Sequence, residues 1–310
     1  MEFIKADINI DFVGKRKLAL FFSLALIAIG LISLIIKGGP DYGIDFTGGT
    51  LVQVSFTEQT GPKAIKDALA QVELNGLVVQ QFGDDPREFL LRAQESTTAL
   101  KGLAQQIGAA LENAYGVNTF EVRRTEMVGP QVGKELRSQG LMAILYAMIG
   151  VLAYVTWRFE FRFAVGAIVA LLHDVLITLG VFSLFGKEID LPIIAAFLAI
   201  VGYSLNDTII VYDRIRENSG KYSRKDLAFI INRSINETLS RTVLTSGTTL
   251  LVVLALFVFG GGVIHNFAFA LLVGIIIGTY SSVFVASPVL VYWDEYRKGR
   301  KSETDARSAA

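Results

Sequence analysis

Leu191-Pro-Ile-Ile-Ala-Ala-Phe-Leu-Ala-Ile-Val-Gly-Tyr-Ser-Leu-Asn-Asp207-Thr-Ile-Ile-Val-Tyr212 runs for 22 residues with one charged side chain. As a helix rising about 1.5 Å per residue it covers about 33 Å, enough to cross the roughly 30 Å hydrocarbon layer of a bilayer. Five further stretches read the same way: Leu18–Ile36, Leu141–Trp157, Phe163–Phe185, Val243–Phe259 and Phe267–Trp293. The expected fold class is therefore an α-helical polytopic membrane protein with six transmembrane helices. Composition agrees, because 52% hydrophobic against 19% charged residues, at a mean hydropathy of +0.48, excludes an ordinary soluble enzyme. Lysine plus arginine equal aspartate plus glutamate at 29 each, which leaves no charge for nucleic acid. The absence of cysteine removes disulfides and thiolate chemistry, and two histidines, His173 and His265, leave little for a metal.

Topology follows from the basic residues of the short loops and tails. With the N-terminus inside, the inner segments hold eighteen lysines and arginines, seven of them between Arg214 and Arg241; the short outer loops Gly186–Asp190 and Gly260–Asn266 hold one, Lys187. The expected plan is a cytoplasmic N-terminus over 1–17, helix 1 over 18–36, a periplasmic domain and connector over 37–140, helices 2 to 6 over 141–293 with a cytoplasmic loop at 213–242, and a cytoplasmic tail over 294–310. The first span, 19 residues with no small-residue cleavage site before Lys37-Gly-Gly-Pro40, reads as an uncleaved anchor. Asn218–Ser240 alternates basic and apolar residues and is expected to lie as an amphipathic helix on anionic lipid.

The outer segment carries its own pattern. A strand at Leu51–Phe56, a helix at Gly61–Leu74, strands at Leu77–Phe82 and Glu88–Ala93 about the turn Gly83-Asp-Asp-Pro86, a helix capped by Ser96 or Thr97, and a strand at Val117–Arg124 give βαββαβ, the ferredoxin-like order.

Hydrocarbon penalises ionisable side chains by at least a few kcal/mol, so acids within spans mark candidate sites. Asp174 lies about 16 Å from the inner edge of its span, and Asp207 about 24 Å from the outer edge of the next. Asp207 has Tyr203, Ser204, Asn206 and Thr208 around it; Arg241 opens the following span, with Thr245, Thr248 and Thr249 on its face. A carboxylate between desolvation and an arginine can change proton occupancy when the helices move, which is what proton coupling requires. The expected proton-coupling residues are Asp207, Arg241 and Asp174, with Ser204, Asn206, Thr208, Thr245 and Thr248 lining or supporting. The plain alternative makes Asp207 a structural link and Arg241 a topology anchor. Asp213 is expected in a solvated ion pair beside Arg214 and Arg216. Gly129-Pro-Gln-Val-Gly133-Lys134 is one residue short of a phosphate loop and has Glu135 in place of serine or threonine, so no ATP site, catalytic residue or cofactor is expected.

Several blocks together resemble the SecF family of bacterial protein-export membrane proteins, within the resistance-nodulation-division superfamily. They are Asp41-Tyr-Gly-Ile-Asp-Phe-Thr-Gly-Gly-Thr50, Val128-Gly-Pro-Gln-Val-Gly133, His173-Asp-Val-Leu-Ile-Thr178, Gly202-Tyr-Ser-Leu-Asn-Asp-Thr208, Asp213-Arg-Ile-Arg-Glu-Asn218 and Arg241-Thr-Val-Leu-Thr-Ser-Gly-Thr-Thr249. The resemblance implies half of a transporter of that superfamily, working with a SecD-like subunit beside the SecYEG translocon in the bacterial inner membrane. It implies that the proton motive force assists late preprotein translocation, with YajC, YidC, the translocating preprotein and membrane lipids as further partners. It also implies that Asp207 and Arg241 take part in proton movement. Two other classes stay open: half of a proton-coupled exporter of small molecules, and a purely structural translocon subunit.

Overall fold

The computed structural model describes residues 8–72, 74, 76–82, 85–93 and 102–308. Six of its helices are long and apolar enough to cross a membrane. They contain α1 (Arg16–Lys37), α5 (Pro130–Arg158), α6 (Phe161–Leu184), α7 (Leu191–Lys221), α8 (Leu227–Phe259) and the run of α9 (Gly261–Ser281) into α10 (Ser287–Ser308). Between α1 and α5 lie α2 (Ile44–Thr47), β1 (Gly49–Phe56), α3 (Pro62–Ala68), β2 (Val78–Gln81), β3 (Glu88–Ala93), α4 (Leu103–Tyr115) and β4 (Phe120–Val128).

The four strands form one antiparallel sheet in the order β2-β3-β1-β4, the ferredoxin-like arrangement that the βαββαβ order implies. Its core joins Val52, Val54 and Phe56 of β1 to Phe89 and Leu91 of β3, beneath Ile65, Leu69, Ile107 and Leu111 from the helical side. The first helix is shorter than its apolar periodicity suggests, ending at Ala68. The expected caps Ser96 and Thr97, and half of the turn at Gly83-Asp-Asp-Pro86, lie outside the described residues.

In the helical bundle α6 and α7 are the most enclosed spans, while α1, α5 and α8 turn most of their apolar surface outward. Small residues set the contacts. A Cβ on Gly30 of α1 would meet the Gly180 backbone of α6 at 2.7 Å, one on Gly278 of α9 would meet Ser204 of α7 at 3.0 Å, and one on Gly274 would run into Ile200 of α7. The Gly-x-x-x-Gly pair therefore seats α9 on α7. Between α9 and α10 the helix widens to a π-turn at Ser282–Ala286, just ahead of Pro288, which has no N–H to give Phe284.

The reading of a lipid-lying amphipathic helix needs correction. Asn218–Ser240 is not a separate helix on lipid: α7 continues to Lys221 and α8 begins at Leu227, so these helices, about 46 and 50 Å long, overrun the hydrocarbon layer. The apolar residues Ile230, Ile231 and Ile235 are buried against Phe12, Val13, Tyr212 and Ile215. Asn232 and Asn236 hold the N-terminal segment, accepting from the Phe12 and Ile10 N–H groups at 2.8 Å each.

The sheet domain is fastened to the bundle beside the loop between α6 and α7. Tyr42 and Ile189 form a parallel bridge, the Ile189 N–H donates to Asp41 O at 2.7 Å, and the Leu191 N–H donates to Asp45 Oδ2 at 2.9 Å. Arg92 reaches Tyr42 O at 2.8 Å and Glu188 at 3.2 Å. Asp190 caps α7, its Oδ1 accepting from the Ile193 N–H at 3.0 Å. Burial at this junction, reinforced by Asp45 and Glu126, pushes Asp190 up to about 6. An acid raised in the folded state contributes most below its ordinary value, and that contribution is lost as pH climbs through the raised one. Protection of the Gly43 and Ile189 amides from hydrogen exchange, corrected for intrinsic rates, should therefore fall between about pH 4 and about pH 7. Asp190→Asn keeps the cap and cannot ionise, so its protection should fall less, the remainder coming from Glu188 beside it, which burial also raises.

Candidate functional site

Two buried carboxylates, on adjacent helices of the bundle, form the candidate site. Asp207 on α7 is 1% exposed. Its Oδ2 accepts from the Ser246 hydroxyl of α8 at 3.3 Å, and Ser246 in turn touches Thr279 of α9 at 2.8 Å. Among the described residues its Oδ1 is buried without a hydrogen-bond partner, as are the Thr242 hydroxyl of α8 and the Tyr203 hydroxyl of α7. A buried carboxylate with one satisfied and one open oxygen is costly while ionised, and protonation relieves that cost.

Asp174 on α6 is fully buried and better served. Its Oδ2 accepts from Ser204 of α7 at 2.5 Å and from Ser281 of α9 at 2.8 Å, and its Oδ1 lies 2.8 Å from His173 Nδ1. The other ring nitrogen of His173 lies 2.9 Å from Ser23 Oγ of α1. Although helix neighbours point about 100° apart, the two side chains here converge. The supports come from neighbouring positions of the same helices: Ser204 lies one helical turn before Asp207 on α7, and Thr279 and Ser281 both come from α9.

Of the residues that spacing singled out, Ser204 serves Asp174, not Asp207. Thr208 is buried beside Asp207 in sequence, whereas Asn206 is exposed. Arg241, Thr245 and Thr248 lie along an outward-facing stripe of α8. Arg241 is exposed, and the two threonine hydroxyls donate back to their own helix, Thr245 to Arg241 O at 2.9 Å and Thr248 to Leu244 O at 2.9 Å. Among the described residues no ion pair joins Arg241 to Asp207. Ser246 and Thr279 were missed, since a helical period anchored on Arg241 selects a different face of α8. Asp213 does form an exposed ion pair, with Arg158 at 3.2 Å; Arg214 pairs instead with Glu217 and Glu237 at 2.6 Å each. His265 lies in the first turns of α9, Nδ1 3.2 Å from Phe257 O, and ties α9 to α8.

The glycine block at 48–49 has a structural task. Gly48, at φ +73°, and Gly133 in the first turn of α5 let the α2 end and the α5 start touch through backbone; a Cβ on Gly133 would stand 2.9 Å from Gly48 N. Gly129 and Pro130 begin α5 in the manner proline favours at a first helical position.

Six spans, a ferredoxin-like domain after the first and carboxylates buried between helices define the class: a multi-pass membrane protein of the transporter kind. Residues 107–296 match the model of the C-terminal part of the protein export membrane proteins SecD/SecF, and residues 32–60 match the SecD/SecF GG motif. The protein translocase subunit SecF of Desulfurispirillum indicum is 52% identical over 292 residues, covering 92% of this chain and 91% of that one. SecF of Magnetococcus marinus is 50% identical, covering 94% of each. The crystal structure of SecDF, a translocon-associated membrane protein from Thermus thermophilus, superposes with a TM-score of 0.85 at 39% identity, over 94% of this chain and 40% of that chain. The chain belongs to the SecF family of protein translocase subunits.

Proposed function

We propose that this chain is the SecF-like half of a proton-driven protein-export motor that assists late preprotein translocation across the bacterial inner membrane. The observation that carries the reading is Asp207, buried between α7, α8 and α9 with one oxygen on Ser246 and the other unpaired among the described residues. Such a group can take up and release a proton as helix packing changes. Asp174 is the second carboxylate of the pathway, and Arg241, which opens the next span, is its basic member. The energy source is the proton gradient, with no cofactor and no enzymatic step.

The partner is a SecD-like subunit. The chain corresponds to 40% of the SecDF chain, and the outward stripe of Arg241, Thr245 and Thr248 is a polar face that a second half would cover. SecYEG is the translocon it serves, with YajC, YidC, the preprotein and membrane lipids as further contacts. Both termini and the 213–242 segment are cytoplasmic, and the sheet domain is periplasmic. In this cysteine-free chain, Lys63→Cys should react with an impermeant thiol reagent added outside spheroplasts and Lys221→Cys should not; the reverse pattern inverts the topology.

The reading is tested in vesicles carrying the translocon and a SecD-like partner. Preprotein export should be stimulated by a proton gradient only when this chain is present. Equal stimulation without it would reduce the chain to a structural subunit, and gradient-driven efflux of small molecules in place of export would favour the exporter class.

A further inference from the structure

The buried chain that leaves Asp174 toward α1 can be counted proton by proton, since each hydrogen bond holds one. Tyr280 OH lies 2.8 Å from Ala19 O, a carbonyl that can only accept, so the Tyr280 proton is committed there. Ser23 Oγ lies 3.1 Å from Tyr280 OH, so the proton in that contact is the serine's own. Ser23 Oγ also lies 2.9 Å from His173 Nε2; with the serine proton spent, the ring nitrogen must donate. On the far edge of the ring one more proton sits between Nδ1 and Asp174 Oδ1 at 2.8 Å. With every contact in this chain a hydrogen bond, the His173–Asp174 pair holds two protons, one more than a neutral imidazole beside an ionised carboxylate, and is neutral overall.

We propose that His173–Asp174 is a second proton-holding site, and that the proton on Nε2 completes the fastening of α1 to α6 and α9. The proposal rests on the proton-coupled reading of Asp174 and adds His173, Ser23 and Tyr280 to it. Overall neutrality is what a bilayer interior favours, because an isolated charge there costs at least a few kcal/mol. When the Nε2 proton passes to water, Ser23 faces two acceptors with a single proton, and either its His173 or its Tyr280 contact is lost. The consequence reaches the sheet domain by covalent continuity. α1 runs parallel to α6 at a constant offset, with Ser23 on His173, Gly30 on Gly180 and Ser33 on Ser183, and it leads through Gly38 and Gly39 to the Tyr42–Ile189 bridge. Among the described residues, α1 brings Ser23 to the pair, α7 brings Ser204, and α9 brings Ser281 and Tyr280, whose ring stacks on His173 at 6.0 Å. Asp207, one turn along α7 from Ser204, is the next acid.

With only two histidines in the chain, His265→Asn leaves His173 as the sole imidazole. The full chain, labelled with ¹⁵N-histidine and reconstituted with its SecD-like partner in lipid, should show a proton on Nε2 at neutral pH by nitrogen NMR. Tyr280→Phe removes the oxygen that takes the Ser23 proton and frees Ser23 to donate to a bare Nε2. The ratio of protonated to bare Nε2 should then fall by up to about tenfold, the size of one net hydrogen bond. A bare Nε2 in the parent chain, or an unchanged ratio in Tyr280→Phe, overturns the inference. The spectra do not depend on export: normal export by Asp207→Asn would sink the role proposed for Asp207 and leave this result standing, and a bare Nε2 beside an export-dead Asp207→Asn would sink this inference alone.

Discussion

Replacing Asp207 by asparagine should reduce gradient-stimulated export to the level seen without a gradient, while abundance and complex formation stay near those of the parent chain. Asparagine is nearly isosteric, so the packing of α7 on α8 and α9 is kept, and its amide can still accept from Ser246. What it cannot do is change charge. One charge moved through 100 mV is worth about 2.3 kcal/mol, enough to bias a two-state equilibrium nearly fiftyfold, and the variant forfeits that bias entirely. Asp207→Glu keeps the carboxyl and displaces it by one methylene, so partial stimulation is expected. Export assayed in vesicles with and without an ionophore, with complex formation measured in the same membranes, separates loss of coupling from loss of folding.

Gly48→Ala should have the largest effect on stability. The backbone at φ +73° is one that a side chain rarely adopts, at a cost of about 1–3 kcal/mol. The added Cβ would also stand 2.7 Å from Pro130 Cα and 2.9 Å from Pro130 N, backbone atoms that cannot swing aside. Forcing atoms into a packed contact adds about 1–3 kcal/mol, so the clasp between α2 and the start of α5 should open. Hydrogen exchange should then rise through Phe46–Gly49 and the first turn of α5. The same substitution at Gly108 supplies the control. Nothing lies within 4 Å of its missing Cβ and it sits inside α4, so Gly108→Ala should stabilise the domain by about 0.5–1 kcal/mol. Equal effects at the two positions would remove the clasp from the account.

These outcomes trace the line between what the sequence discloses and what it does not. The six helices and the βαββαβ order follow from length, apolarity and period, properties that a chain segment carries by itself. Asp207 and Asp174 stand out for the same reason, because hydrocarbon makes any acid conspicuous. Which side chain of another helix meets them is a matter of helix rotation, and a single sequence has no term for it. Thr245 and Thr248 share a face with Arg241 and point outward, while Ser246, about 100° around the same helix, reaches Asp207. The amphipathic stretch at 218–240 was legible as amphipathic, but not whether lipid or protein would cover it. Phe12 and Val13, more than two hundred residues away in sequence, cover it. The glycine blocks were visible as motifs, and only the backbone contact between Gly48 and Pro130 gives them a physical task.

The central claim is that Asp207 carries the coupled proton. Gradient-driven proton flux into vesicles containing the assembled complex tests it most directly, measured with the parent chain and with Asp207→Asn at matched protein levels. The account predicts flux in the parent and none above the protein-free leak in the variant. Undiminished flux through an intact Asp207→Asn complex would contradict it and move the coupling carboxylate to Asp174.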